Sequence, residues 1–326
     1  ALTVNPKSLQ VNFTNAAISK TYDGTTAATI STDNYTLSGM LPGEDVSVSG
    51  TAYYASKDQG NGIGITWDAL MLSGAQKDNY TIVSPATTTG QILPKAISVK
   101  ANAAQKVYGQ DDPQTLGYSI TQGELITGDE FTGALLRDAG ENVNTYAIKQ
   151  GSLKISDNYI LTFTAEQFEI TKASLLITAE DKSIVQGDAI PELTYNYSGF
   201  VNNETSTVLT TLPQIRTTAT SSSVAGVYPI TVDGASAANY DIQYQAANLT
   251  ITAVTPTKIN FTPEAVYENM PAQTLAGSLQ AEPATSVYTC ELVTGEGSQD
   301  NSSFTITGNR LYTNASLDYE TQSVYH

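Results

Sequence analysis

The side chains able to do covalent or acid–base chemistry are few and poorly arranged for it. A Ser-His-Asp or Cys-His pair would need the only histidine, His326, and the sequence builds no such pair on it. Two adjacent acid pairs remain, Asp111-Asp112 and Asp129-Glu130. A glycosidase needs two carboxyls facing each other across a cleft at roughly 5–10 Å, which neighbours in a turn rarely supply. Gln59-Gly60-Asn61-Gly62 is glycine-rich but precedes no helix, so it reads as a hairpin turn and not as a phosphate loop. Trp67 is the one tryptophan. It alternates with Ile65 and Ile63, which places it in a core; the competing reading is a sugar-stacking platform. Tyr53 and Tyr54 are adjacent, so one of them faces outward. These residues predict no enzyme.

Bulk properties narrow the classes further. The chain has 326 residues, 32 acids against 15 bases, a net charge of −17 and a pI near 4.2. A nucleic-acid partner calls for a basic stripe, and a polybasic membrane anchor calls for clustered cations; neither is present. The acidity reads as a solvated, self-repelling surface. One cysteine, Cys290, excludes an intramolecular disulfide and a Cys-x-x-Cys metal knot. It stands in a strand-like run, where it reads as a small core residue. No signal peptide or spanning helix is visible, so no membrane insertion is expected within this sequence. The run Leu2-Thr3-Val4 and the close at Tyr325-His326 both look like cuts through strands of a longer protein. Tyrosines (19) far outnumber phenylalanines (7), as suits half-exposed sheet positions.

The elements behind these residues come from a repeated phrase. An Asn-Tyr pair opens an alternating apolar run at Asn79-Tyr80, Asn158-Tyr159 and Asn239-Tyr240, a period of about 80 residues. After each, an apolar exit leads within a few residues into the next alternating run, as in Ile170-Thr171-Lys172-Ala173 before Leu175, Ile177 and Ala179. Four domains follow: residues 1–95, 96–172, 173–253 and 254–326. Within the first, Tyr22-Asp23-Gly24 is a tight turn of hairpin type, and Val46 and Val48 mark a half-buried strand. Within the second, Ile97, Val99 and Ala101 alternate. A short helix is expected near residues 129–135 and another near 204–209, the latter capped by Asn203. Pro229 predicts an edge strand. No linker separates the first three domains, so a stiff, extended array is expected; Val254-Thr255-Pro256-Thr257 is the one plausible hinge.

The first domain resembles the YDG-type repeat of bacterial surface adhesins, on Lys20-Thr21-Tyr22-Asp23-Gly24-Thr25-Thr26, Gly43-Glu44-Asp45-Val46, Leu72-Ser73-Gly74 and Asn79-Tyr80. The second and third resemble MBG-type repeats, on Tyr108-Gly109-Gln110-Asp111-Asp112-Pro113, Arg137, Gly140-Glu141-Asn142-Val143, Asn158-Tyr159 and the exits at Ile170 and Ile251. Val185 stands in the third where the motif has tyrosine. The last is similar to a cadherin-type repeat, on Glu268-Asn269 and Leu317-Asp318-Tyr319-Glu320. That resemblance implies a calcium half-site of Glu268, Asp318 and Glu320, completed in the full-length protein by groups beyond a C-terminally truncated domain. The family's mid-domain Asp-x-Asp is absent; Ala284-Thr285-Ser286 lies nearby instead.

The expectation is therefore an all-β tandem array of small immunoglobulin-like β-sandwiches, with a β-grasp-like layout as the alternative if the helices prove long. The resemblance implies an extracellular bacterial adhesin segment acting as a stiff stalk, its partners being neighbouring domains. The alternatives are a glycan- or mucin-binding module that meets a host glycan or protein, and calcium-dependent adhesion through the last domain.

Overall fold

The computed structural model describes residues 2–83, 87–283 and 288–326. All regular structure in the described residues is β, apart from four single turns of 3-10 helix. No helix among them is long and apolar enough to cross a membrane. The chain forms two compact units, Ala1–Thr171 and Lys172–His326.

The first unit holds two domains. In the first domain, strand Lys7–Phe13 lies between Tyr35–Ser38, antiparallel, and Tyr80–Val83, parallel. A second sheet runs in the order Ser19–Thr21, Thr88–Leu93, Gly60–Ser73, Ser47–Tyr54, Ala27–Ala28. Val11 from one sheet meets Val48, Ala52, Tyr54, Ile65 and Trp67 from the other in one core. Trp67 is buried against the rings of Phe13 (5.9 Å) and Tyr35 (5.1 Å), a core residue as its alternation predicts. Tyr54 is buried and Tyr53 exposed.

The second domain repeats the plan. Lys95–Ala101 is flanked by Tyr118–Gln122 and Tyr159–Thr164, and the facing sheet is Ala104–Val107, Glu166–Thr171, Asn144–Lys149, Leu136–Arg137. The third domain, in the second unit, has the same order with Ala173–Ala179 between Tyr195–Ser198 and Tyr240–Gln245, facing Lys182–Val185, Ala247–Thr252, Gly226–Asp233 and Gln214–Thr217. Leu175, Ile177 and Ala179 are buried as the alternation predicts. The repeated phrase now has a physical meaning. Tyr159–Thr164 pairs parallel to the first strand of its domain, and the chain then steps into Glu166–Thr171 of the other sheet. One continuous stretch thus closes both sheets, which is why it recurs so faithfully. These are immunoglobulin-like sandwiches with two parallel ladders each, and no β-grasp helix is present among the described residues. Among its described residues the last domain carries one antiparallel sheet, Lys258–Pro263, Leu275–Glu282, Arg310–Thr313, Phe304–Thr307.

Several local expectations are corrected. Residues 129–135 form no helix; Gly128 at φ 95° closes a β-turn instead. The short helix of the third domain is one 3-10 turn, Ser206–Val208, capped by Thr205 and not by Asn203, which is left-handed in the preceding turn. Tyr22-Asp23-Gly24 is a turn but not a hairpin: the strands on either side pair at opposite edges of the sheet. Gly60-Asn61-Gly62 lies inside a strand at a break in register, and the turn precedes it. Pro229 sits in an internal strand, but pairing with the next strand starts at Ile230, and Asn248 N–H goes to Asp181 (2.7 Å), so the missing donor is not needed. Cys290 is half-buried outside any strand. Leu2-Thr3-Val4 forms no strand and exposes both apolar side chains, and residues 325–326 lie outside strands too. Ala1 and Ala284-Thr285-Ser286 lie outside the described residues.

Candidate functional site

Each of the first three domains builds the same lock at one end. A turn of the form apolar-x-Gly/Asn-acid is closed by a backbone hydrogen bond: Glu44 N to Leu41 O (3.3 Å), Asp129 N to Ile126 O (2.9 Å), Glu204 N to Val201 O (2.9 Å). The third residue is Gly43, Gly128 or Asn203, at φ 86°, 95° and 57°, a region that glycine and asparagine tolerate best. The tyrosine of the Asn-Tyr phrase then bridges the turn. Its hydroxyl accepts from the apolar residue's N–H, at 2.9 Å for Tyr80, 2.8 Å for Tyr159 and 3.1 Å for Tyr240. It donates to the acid: Tyr80 to Glu44, Tyr159 to Asp129 (2.7 Å), Tyr240 to Glu204 (2.5 Å). Burial pushes the Tyr159 pKa up to about 12, so it stays a donor across the physiological range.

At Asp129 the lock is shared between two domains. Tyr22 of the first domain donates its hydroxyl to the same Asp129 oxygen at 3.0 Å, and its ring meets the Tyr159 ring edge-on at 5.5 Å. Gly24 lies so close that a Cβ there would be 2.7 Å from Ile126 Cγ2. Asp23 shapes the turn through Lys20 Nζ (2.8 Å) and Thr25 N (2.9 Å). The Asn158 amide donates to Asp58 (3.0 Å) and accepts from Gln59 N (2.8 Å). Ile97, Leu125, Ile126 and Tyr159 of the second domain join the first domain's apolar core. The Tyr-Asp-Gly motif is therefore a domain joint: Tyr supplies a phenol, Asp shapes the loop, and Gly permits close approach.

A second cluster lies at the side of the second domain. Arg137, with its side chain only 8% exposed, donates twice to Asp112 (2.6 and 3.0 Å), once to Glu141 (2.6 Å) and to the Asp138 and Gly140 carbonyls. Lys106, also buried, pairs with Asp112 (2.7 Å) and Glu141. The Arg137 guanidinium holds the Asp112 pKa down at about 2. Burial alone would lower the Lys106 pKa; its two carboxylate partners more than reverse that. In the third domain the same places are apolar or neutral. Ladder register puts Ile184 where Lys106 is and Thr217 where Arg137 is. Ile190, beside Pro191, stands for Asp112 beside Pro113, and Ser223 for Glu141. The same register corrects the motif alignment. Val185 matches Val107, and Gln186 takes the place of Tyr108, each donating its N–H to the end of the exit strand at 2.8 Å.

In the last domain the three expected carboxylates do meet: Glu268, Asp318 and Glu320 bring oxygens within 4.8 Å of one another, all exposed. Asn269 N to Leu317 O (3.0 Å) ties the two segments together, with Asn269 at φ 59°. Asp318 accepts from Thr321 Oγ1 (2.8 Å) and Glu320 N (3.0 Å); the Thr321 hydroxyl is the main cause of its lowered pKa. Hard oxygens suit calcium, and three carboxylates supply part of the six to eight ligands it takes. Beside them is a groove of about 530 Å³ lined by Phe261, Tyr267, Phe304 and Tyr319, with Glu268 on its rim. The amides of Asn301 and Gln322 also line it, but their NH₂ groups donate internally, to Val293 O and to Asp300 and Val324.

The family model of the YDG domain matches residues 5–89, and that of the MBG domain (YGX type) matches residues 97–169 and 175–250. No curated protein matches the sequence. Among solved structures the chain is similar to extracellular cadherin domains 1–4 of protocadherin gamma B7, at 8% identity and a TM-score of 0.23 over 86% of each chain. It is also similar to immunoglobulin domains 1–4 of Sidekick-1, at 10% identity and a TM-score of 0.28 over 89% of this chain and 80% of that one.

Proposed function

The chain carries one YDG domain followed by two MBG domains of the YGX type, and from that premise we propose that it is a stiff, non-catalytic segment of a bacterial cell-surface or secreted adhesin. It works outside the cell, holding other domains at a distance. The observation that carries this reading is the joint at Asp129. A stalk made of separately folded domains transmits position only if the joints resist bending. Here two phenols, an asparagine clamp and a shared apolar core hold the first two domains together.

The test is Tyr22→Phe in the full chain. It deletes one hydrogen bond to a carboxylate, about 1.5–3 kcal/mol, while the phenylalanine ring keeps the packing. Amide exchange at Ile126 is expected to quicken about tenfold, and small-angle scattering to report a broader distribution of dimensions. Unchanged exchange together with unchanged scattering would remove the joint from the account.

A second reading has its own observation. The exposed aromatic groove and the three carboxylates of the last domain share Glu268, which favours calcium-dependent adhesion there, to a glycan or protein surface. With a millimolar site, 10 mM calcium adds about 1.4 kcal/mol. Calorimetry is expected to show the last domain melting a few degrees higher in calcium than in chelator, and no difference in Asp318→Asn/Glu320→Gln. An identical trace with and without calcium would end this reading.

A further inference from the structure

The lock of the first domain is built like the one at Asp129, but among the described residues of the first unit no second domain is seated on it. Tyr80 bridges Glu44 and the Leu41 N–H, and the Asn79 amide reaches Glu44 at 3.4 Å. Tyr80 pairs with Lys7, as Tyr159 pairs with Lys95 and Tyr240 with Ala173. The lock thus sits where the chain enters each domain. At Asp129 the seated partner is the domain just ahead, whose exit strand Thr88–Leu93 runs straight to Lys95.

Two independent observations mark the first lock as a seat. Its apolar rim is bare: Met40 is 38% and Leu41 49% exposed, where the equivalent Leu125 and Ile126 are packed into the first domain's core. The segment entering it also has the pattern of an exit strand. Val4-Asn5-Pro6-Lys7 parallels Ile92-Leu93-Pro94-Lys95. Val4 stands three residues ahead of the tyrosine-paired position, as Ile92 and Ile170 do, and Leu2 matches Phe168. Ile92, Phe168 and Ile170 are at most 1% exposed, while Leu2 is 94% and Val4 85% exposed. Two apolar residues in strand alternation and in water signal a missing sheet.

We infer that Glu44, Asn79 and Tyr80 form a docking seat for a β domain directly ahead of Lys7, whose last strand contains Leu2 and Val4. That domain presents a tyrosine hydroxyl to Glu44 from a glycine turn packed over Leu41. The inference rests on the docked-stalk reading and extends it to a partner.

The test adds a second copy of residues 7–94 to the N-terminus of the full chain, with Pro94 of the copy in the place of Pro6. Exchange of the Leu41 amide of the original domain is expected to slow about tenfold on docking. Tyr22→Phe in the added copy alone, which leaves the seat unaltered, is expected to undo most of that. Unchanged exchange at Leu41, or slowing that survives Tyr22→Phe, overturns the inference. Ile126 in the same sample separates the two ideas. If Tyr22→Phe in the original domain speeds Ile126 but Leu41 never responds, the seat fails and the joint stands. If neither responds, the docked-stalk reading fails as well.

Discussion

Arg137→Ala is expected to cost the second domain about 2–4 kcal/mol, a large share of the stability of a domain this small. The loss is more than a guanidinium. Asp112 and Glu141 keep only Lys106 to neutralise them, the Asp138 and Gly140 carbonyls lose their donor, and the rings of Phe168 and Tyr146 lose the cation stacked 4.9 and 5.3 Å away. The two bases are buried while Asp112 and Glu141 reach water, so removing one base leaves the acids partly uncompensated; removing the whole group need not. The third domain has made that replacement, with Ile184, Ile190, Thr217 and Ser223 on the same strands and turns, and Ile184 and Ile190 packed on its core. The fourfold variant Lys106→Ile, Asp112→Ile, Arg137→Thr, Glu141→Ser is therefore expected to lie within about 2 kcal/mol of the natural domain. Native-state exchange of the Ile148 and Phe168 amides measures both. A mild Arg137→Ala and a severe fourfold variant would mean the four charges are not one cooperative group.

The contrast between these clusters shows what a linear reading can reach. Alternation placed Trp67, Ile97, Val99 and Leu175 in cores because sheet faces repeat every second residue and burial follows. Lys106 escaped the sequence reading although the same signal was there: it shares a face with Ala104 and Tyr108, and a lysine on an inward face needs a counter-ion. The locks were harder to see. Their acid precedes its tyrosine by 36, 30 and 36 residues, so no fixed spacing links the two. Each half also has an innocent reading, Gly128-Asp129 as a helix start and Asn203-Glu204 as a cap. The Tyr22–Asp129 contact spans 107 residues and two domains, and no local pattern encodes it. The acids of the last domain came through resemblance, and the backbone tie from Asn269 to Leu317 is what brings them together.

Asp129→Ala is expected to be the most damaging single change at the joint, because one carboxylate oxygen serves two phenols. Tyr22 and Tyr159 are 2% and 6% exposed, so neither hydroxyl can turn to water without opening the interface. Each stranded donor costs about 1–3 kcal/mol, so the joint should lose roughly 2–6 kcal/mol. Glu44→Ala is the natural comparison. It strands one phenol, that of Tyr80, and releases the exposed Asn79 amide, beside a rim already in contact with water, and should cost about half as much. In calorimetry of the full chain, the first two domains are expected to melt together in the natural protein and separately in Asp129→Ala. The rescue decides the mechanism. Adding Tyr22→Phe and Tyr159→Phe to Asp129→Ala removes both orphaned donors and keeps both rings, and matched removal of hydrogen-bonding partners is nearly neutral. The triple variant should therefore melt closer to the natural protein than Asp129→Ala does, although it has lost two more hydroxyls. If each substitution instead lowers the melting temperature further, the carboxylate would be acting through the shape of its turn and not through the two phenols.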